Sequence, residues 1–155
     1  HRPGLASEGY NIVSPEPGGG GMARAMRLAL AAAVLLAGDI GYVNAHGTST
    51  PLNDLYETAA IRDVFGDHAS RVPVSSTKGV TGHCLAAAGG VEAVITVLAL
   101  ARGVLPPTVN LVHPDPELGP MDFVADGARP ARIDHAMCNS FAFGGQNAVC
   151  IFSRP

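Results

Sequence analysis

The chain has 155 residues, of which 47% are hydrophobic, 15% charged and 5% aromatic, and its net charge is -3. This length suits one domain or one structural half of a larger domain, and so few charges argue against intrinsic disorder. The 19 Gly and 12 Pro residues show no period, which excludes a collagen-like chain. A pI near 6.0 gives no electrostatic basis for binding nucleic acid or an anionic membrane.

The cysteine pattern and the longest apolar run bear on the cellular compartment. Cys84, Cys138 and Cys150 have spacings that fit neither a zinc ribbon nor a redox pair, so we expect free thiols in a reducing compartment. The longest apolar run covers ten residues, 28–37, against the ~20 that a bilayer requires. The sequence therefore predicts a cytoplasmic protein without a membrane span.

The N-terminal 65 residues predict a loop, a helix, a strand and a second helix. Residues 1–20 are rich in Gly and Pro and indicate a loop with an extended piece at 10–13. Strong helix formers predict a helix over 22–37 that ends at Gly38, and the apolar character of its second half indicates burial. A short strand is expected at 39–45 and an amphipathic helix at 54–65.

The remainder of the chain predicts a further βα unit and a hairpin. A strand at 72–75 leads through a Gly-containing turn at 76–82 into a helix over 83–102, whose apolar surface indicates a core or an interface. After a Pro-rich connection, strands are expected at 121–124, 136–141 and 146–152, the last two joined by a tight turn. This order indicates an α/β fold with a mixed sheet.

Three loops concentrate the polar residues of an otherwise apolar chain. In the first, His46 follows a buried strand and precedes Gly and three hydroxyl residues, which could aim an imidazole and several donors at a ligand. The alternative is a histidine bonded to the backbone, with Ser and Thr capping the next helix. In the second, the only lysine, Lys78, lies five residues from His83 at the start of an apolar helix. Such a lysine is either paired and functional or merely solvated at the surface.

The third loop and the metal-binding potential are less specific. The segment NSFAFGGQN (139–147) places two aromatic residues beside a Gly pair, as either a movable gate or a packed turn. His46 and His83 are 37 residues apart, with neither an HExxH motif nor a Cys pair, so we expect no metal site. Cys84 is expected to be a small core residue rather than a nucleophile.

These loops carry a resemblance to a known family. The segments VNAHGTSTPLND (43–54), SSTKGVTGH (75–83) and NSFAFGGQN (139–147) resemble the C-terminal motifs of β-ketoacyl-acyl carrier protein synthases of the elongating type. These are condensing enzymes of fatty acid and polyketide synthesis. The resemblance implies the C-terminal half of a thiolase-like fold, with α-β-α layers and a mixed sheet, over residues 1–155.

The resemblance also implies a reaction and roles for individual residues. The reaction is a decarboxylative Claisen condensation, in which malonyl-carrier protein loses carbon dioxide and the enolate attacks an acyl thioester. His46 and His83 would hydrogen-bond the malonyl thioester oxygen and stabilise the enolate. Lys78, next to His83, would order the site electrostatically.

Further residues follow from the same motifs. Thr48 and Thr50 would contact a phosphopantetheine arm, and Phe143 would be a gating residue whose amide belongs to the oxyanion hole for acylation. Phe141 and Gly144 would bind substrate. Because the substrates would arrive on acyl carrier protein, no permanently bound cofactor is expected. The expected assembly is a homodimer, or a heterodimer with a ketosynthase-fold partner or N-terminal half.

Two departures from the family pattern shape these expectations. No segment resembles the motif of the nucleophilic cysteine, which the family carries in its N-terminal half. We therefore expect that half upstream of His1 or on a partner chain, and expect the isolated chain to be catalytically incomplete. Ala142 stands where the motif usually has Gly, and we expect it to restrict the swing of Phe143.

Two alternatives to an enzyme half-site remain. The missing cysteine would also suit a non-catalytic partner resembling chain-length-determining subunits, or a truncated remnant, although the two histidines and the lysine favour an enzyme. A degradative thiolase shares the fold, but the His-Lys-His motifs follow the decarboxylating pattern. The motifs specify neither the acyl chain length nor the choice between fatty acid and polyketide products.

Overall fold

A six-stranded mixed sheet forms the centre of the fold. The computed structural model describes residues 1–154. The strand order is β1-β8-β7-β2-β3-β5, and a separate small sheet pairs β4 with β6. In the central sheet, β8 runs in the direction opposite to the other five strands. The strands are β1 Gly4–Ser7, β2 Tyr42–Asn44, β3 Pro73–Ser75, β4 Val104–Leu105, β5 Asp122–Phe123, β6 Arg129–Pro130, β7 His135–Ala142 and β8 Gln146–Ser153. The predicted α/β class is confirmed.

Helices cover both faces of this sheet. They are α1 Gly20–Ala33, α2 Pro51–Phe65, α3 Lys78–Thr81 and α4 Ala88–Arg102. Successive residues of β2 point to opposite faces. Val43 belongs to the core shared with α1 and α2, while Tyr42 packs with Leu100 of α4. The central strand is therefore buried on both sides.

The first helix ends earlier than the sequence indicates. It stops at Ala33 because Val34 adopts a left-handed conformation, with φ 57°. The predicted end at Gly38 is wrong, and so is the burial of the second half, since Val34 is 90% exposed. A β-branched residue rarely adopts this conformation, so no local pattern indicates the break. Strand β1 was also missed, because it is identified only by its pairing with β8.

The second long helix is divided into shorter pieces. The predicted turn at 76–82 contains the four-residue helix α3, which ends at Gly82 with φ 67° and ψ 179°. A 3-10 turn at Leu85–Ala87 follows before α4 begins at Ala88. His83 therefore lies between helices, and its predicted place at the start of a long helix is wrong.

The apolar surface of this last segment is largely uncovered. Val94, Val97 and Leu98 are all exposed. Within residues 1–154, the span Leu85–Arg102 is long and apolar enough to cross a membrane by length and composition, with a mean hydropathy of 1.7. Core helices of soluble proteins reach the same values. Here Glu92, buried and paired with Lys78, lies in the middle of the span, as expected for a helix that packs inside a protein.

Candidate active site

The parallel strands bring two of the three predicted loops together. In β2 and β3, Asn44 and Ser75 are register partners, so the chain leaves both strands at the same edge of the sheet. The loop with His46 follows β2, and the loop with Lys78 follows β3. The Ser76 hydroxyl donates to the Gly47 carbonyl at 2.7 Å and ties these loops to each other. The topology therefore assembles the site predicted from the motifs.

Four of the predicted residues form one contiguous group. His46 is buried, and its ring stands edge-on to that of His83, with 5.4 Å between centroids and 82° between planes. The ring of Phe141 lies 6.0 Å from His46 on another side. The Lys78 ammonium nitrogen Nζ lies 3.4 Å from Nδ1 of His46. Two imidazoles and an ammonium thus converge in one place.

The hydrogen bonds assign the tautomers of both histidines. An ammonium group can only donate, so Nδ1 of His46 accepts from Lys78. Nδ1 of His83 accepts from the backbone N–H of Leu85 at 3.1 Å. Because Nδ1 of each ring accepts, Nε2 is the nitrogen that carries the ring proton. Both histidines present an N–H donor to a ligand.

The charge state of His46 follows from its surroundings. Burial, with the ammonium of Lys78 and the nearby His83 in addition, lowers the pKa of His46 to about 3. The ring is thus neutral at any physiological pH. A neutral imidazole whose Nδ1 is occupied suits donation from Nε2 and does not suit proton abstraction at Nδ1.

Lys78 is anchored by a carboxylate from the opposite helix. Its ammonium group pairs with Oε1 of Glu92 on α4, and both side chains are almost fully buried, at 6% and 2% exposure. Burial raises the pKa of Glu92, and the ammonium of Lys78 opposes that shift. Oε2 of Glu92 has no hydrogen-bond partner within residues 1–154. Lys78 therefore bridges Glu92 and His46.

The remaining predicted residues lie on the His46 loop and on the β7–β8 hairpin. The hydroxyls of Thr48 and Thr50 lie 2.9 Å apart in a hydrogen bond. Thr48 lines a cavity of about 390 Å³ together with Lys78 and His83. Phe143 lies at the tip of the β7–β8 hairpin and is 74% exposed. The amide of its neighbour Gly144 donates to the Ile12 carbonyl at 2.6 Å, which ties the hairpin tip to the N-terminal loop.

Sequence comparison relates this arrangement to known proteins. The model of the family "Beta-ketoacyl synthase, C-terminal domain" matches residues 3–112. The chain belongs to this family. The 3-oxoacyl-[acyl-carrier-protein] synthase 2 of Synechocystis sp. is 46% identical over 150 residues, which cover 97% of the chain and 36% of that protein. The protein of the same name from Coxiella burnetii is 46% identical over 151 residues, with the same coverage.

Solved structures agree with the sequence relatives. A β-ketoacyl synthase from Burkholderia phymatum superposes with a TM-score of 0.93 at 42% identity, over 99% of this chain and 36% of that one. A type II polyketide ketosynthase, solved in complex with its acyl-carrier protein, gives 0.95 at 31% identity, over 99% and 37%. The ketoacyl synthase domain described here thus has the predicted thiolase-like fold. It spans 36% of the length of these curated relatives.

The burial of one cysteine in the synthase domain differs from the prediction. Cys84 is exposed, so its predicted place in the core is wrong. It lies in the segment between α3 and α4, where no sheet covers it. Cys138 is buried, and burial raises the pKa of its thiol to about 12, which makes it a poor nucleophile. All three cysteines are free thiols, as predicted.

The contacts of two buried carboxylates near the site, Glu92 and Glu57, could not be inferred from the sequence. Glu92 is an isolated charge in an apolar helix, and only the structure pairs it with Lys78. Glu57 was not singled out at all, yet it is buried and bonded to the backbone of His46. Its only sequence signal is a charge on the face of α2 that carries the buried Ala60 and Ile61.

The conformation of Ala142 in this domain leads to a testable expectation. Ala142 has φ -131° and ψ 161°, an extended conformation that any residue adopts. We expect Ala142→Gly to cost about 0.5–1 kcal/mol through backbone entropy, and to speed amide hydrogen exchange at the hairpin tip around Phe143. The matched control is Ala148→Gly in β8, which should weaken the strand without loosening the tip. Unchanged exchange at the tip would show that Ala142 does not restrain Phe143.

Proposed function

We propose that this chain is the decarboxylating half-site of a β-ketoacyl-acyl carrier protein synthase. It would act on a malonyl group carried on the phosphopantetheine of acyl carrier protein, in fatty acid or polyketide synthesis. The observation that carries the proposal is the pair of adjacent imidazoles, His46 and His83, each of which accepts a hydrogen bond at Nδ1 and leaves Nε2–H free to donate.

Two N–H donors at this distance suit an enolate oxygen. Loss of carbon dioxide from a malonyl thioester leaves negative charge on the thioester oxygen. Donors that are fixed before the reaction stabilise such charge without reorganisation. His46 and His83 can both donate to one oxygen placed between their rings, which are 5.4 Å apart. The enolate carbon then bonds to the acyl carbonyl carbon as the thiolate of the acyl thioester leaves, so neither ring has to give up a proton in this step.

Lys78 acts on the histidines and not on the substrate in this proposal. Its ammonium is shared between Glu92 and His46, and so fixes the tautomer of His46. Thr48 and Thr50 would receive the phosphopantetheine arm beside the cavity. Phe141, against His46, and Phe143 with Gly144 at the hairpin tip would border the acyl group.

The nucleophile would come from an N-terminal half outside this chain. His83 and the apolar Val80 and Leu85 are exposed around the site, which suits a surface that another part of the synthase covers. The relatives are nearly three times as long as the matched segment. We therefore expect a cytoplasmic dimer with acyl carrier protein as its transient partner.

The test is release of carbon dioxide from malonyl-carrier protein. It uses the completed synthase, meaning this chain together with an N-terminal part equivalent to that of its relatives. We expect decarboxylation, and no loss of rate from protonation of His46 as the pH falls from 8 to 5, because its pKa is about 3. A completed synthase that binds malonyl-carrier protein but releases no carbon dioxide would contradict the proposal and support a non-catalytic, chain-length-determining partner.

A further inference from the structure

The buried carboxylate of Glu57 lies beneath the His46 loop. Glu57 is only 2% exposed. Its Oε1 accepts from the His46 amide at 2.8 Å and from Nδ2 of Asn139 at 3.0 Å. Its Oε2 accepts from the Gly47 amide at 2.8 Å and from Nδ2 of Asn53 at 3.3 Å. One side chain of α2 therefore joins the end of β2 to its own helix and to β7.

This bonding pattern indicates an ionised carboxylate. Four N–H groups face the two oxygens and fill their acceptor positions, and each of these four partners donates to the carboxylate. Burial raises the pKa of Glu57, and the bonds from Gly47, Asn139, His46 and Asn53 oppose this shift. Bonds to a charged acceptor are stronger than those between neutral groups. The Glu57 carboxylate therefore holds its four hydrogen-bond donors in fixed positions.

The peptide that follows His46 is held on its other side as well. Gly47 has φ 41°, and a Cβ at this position would lie 2.5 Å from Cβ of Ser76. The Ser76 hydroxyl donates to the Gly47 carbonyl, while Glu57 accepts from the amides of His46 and Gly47. The backbone that carries the imidazole is therefore clamped between α2 and the Lys78 loop.

We propose that Glu57 is a positioning residue: its carboxylate fixes the His46–Gly47 backbone and thereby aims Nε2–H of His46 at the reacting oxygen. The inference rests on the proposed function, because it needs His46 to be a donor in the reaction. Glu57 touches the backbone of His46 and not its ring, so it does not act on the substrate itself. A displacement of about 1 Å at such a donor lowers rates by ~100-fold.

The test is Glu57→Gln in the completed synthase. Gln has the same shape, but whichever oxygen its amide NH2 replaces faces a backbone N–H that can only donate, so at least one hydrogen bond is lost. We expect kcat for malonyl-carrier decarboxylation to fall ~10- to 100-fold with little change in KM. Backbone amides at His46 and Gly47 should exchange faster, and those of β8 should not. The control is Glu117→Gln, an exposed carboxylate on the Pro-rich connection, which should behave as the parent does.

A double mutant separates positioning from general damage. In the His46→Ala background, Glu57→Gln should cause no further loss of kcat, because the donor that it positions is already gone. An equal loss in both backgrounds, or an unchanged kcat in the single variant, would overturn the inference. If His46→Ala itself did not slow decarboxylation, that result would instead contradict the proposed function. Amide hydrogen exchange at His46 and Gly47 would still show whether the Glu57 carboxylate holds this backbone.

A second variant covers the case in which Glu57→Gln does not fold. Glu57→Asp keeps the charge and can still accept from the two backbone amides, although it is shorter by one methylene. We expect it to retain several-fold more kcat than any folded neutral variant, including Glu57→Ala. Equal activity of the Asp and Ala variants would count against the role of the carboxylate.

Discussion

His46→Ala is expected to reduce malonyl decarboxylation by the completed synthase ~100- to 1,000-fold, which corresponds to about 2.7–4 kcal/mol of transition-state stabilisation. The substitution removes one of two donors that are fixed by the fold before substrate binds. Because the ring is buried and neutral, water cannot easily take its place. Carbon dioxide release from malonyl-carrier protein gives kcat directly.

The control for this experiment is His113→Ala, which removes an exposed imidazole outside the site. It should leave kcat and KM unchanged. A His46→Ala synthase that decarboxylates at the parent rate would show that the imidazole pair does not stabilise the enolate.

Lys78→Met is expected to have the largest effect on stability as well as a large effect on rate. It leaves the carboxylate of Glu92 buried without a counter-charge, which costs about 3–5 kcal/mol. It also removes the donor that fixes the tautomer of His46, so kcat should fall by ~100-fold or more. Thermal unfolding of the completed synthase and the decarboxylation assay measure the two effects separately.

The double variant Lys78→Met/Glu92→Gln distinguishes the two roles. Removing both charges relieves the uncompensated carboxylate, so thermal stability should recover to near that of the parent. Activity should not recover, because Nδ1 of His46 still lacks its ammonium donor. If activity returned together with stability, Lys78 would be a structural residue only, and its assignment to the site would be wrong.

The sequence predicts which candidate site residues lie close together better than it predicts the bounds of the helices and strands that carry them. His46, Lys78 and His83 could be placed together because two of the loops leave adjacent parallel strands, and such strands end at one edge of a sheet. Phe141 joins them because β7 is the other neighbour of β2. These placements depend on strand order, which the motifs imply through the family.

Glu57 and Val34 show what the sequence does not reveal. The partners of Glu57 are mostly backbone amides and carboxamides distant in the chain, and these leave no pattern of residue types. The end of α1 depends on one Val in a conformation that its own type disfavours. Both are fixed by tertiary packing, which overrides local preference. The burial expected for the second half of the first helix also fails, because Val34 and Leu36 are exposed.

The position of β2 between β7 and β3 has a consequence for how the protein folds. Tyr42 of β2 pairs with Ala136 of β7, a partner more than ninety residues later in the chain. Pairings of such high contact order form slowly, because a long loop must close before they contribute. During synthesis His46 and His83 leave the ribosome well before β7, so this pair of histidines cannot be enclosed until the C-terminal hairpin is complete. Chains that lack the C-terminal β7–β8 hairpin should lose the whole site, not part of it.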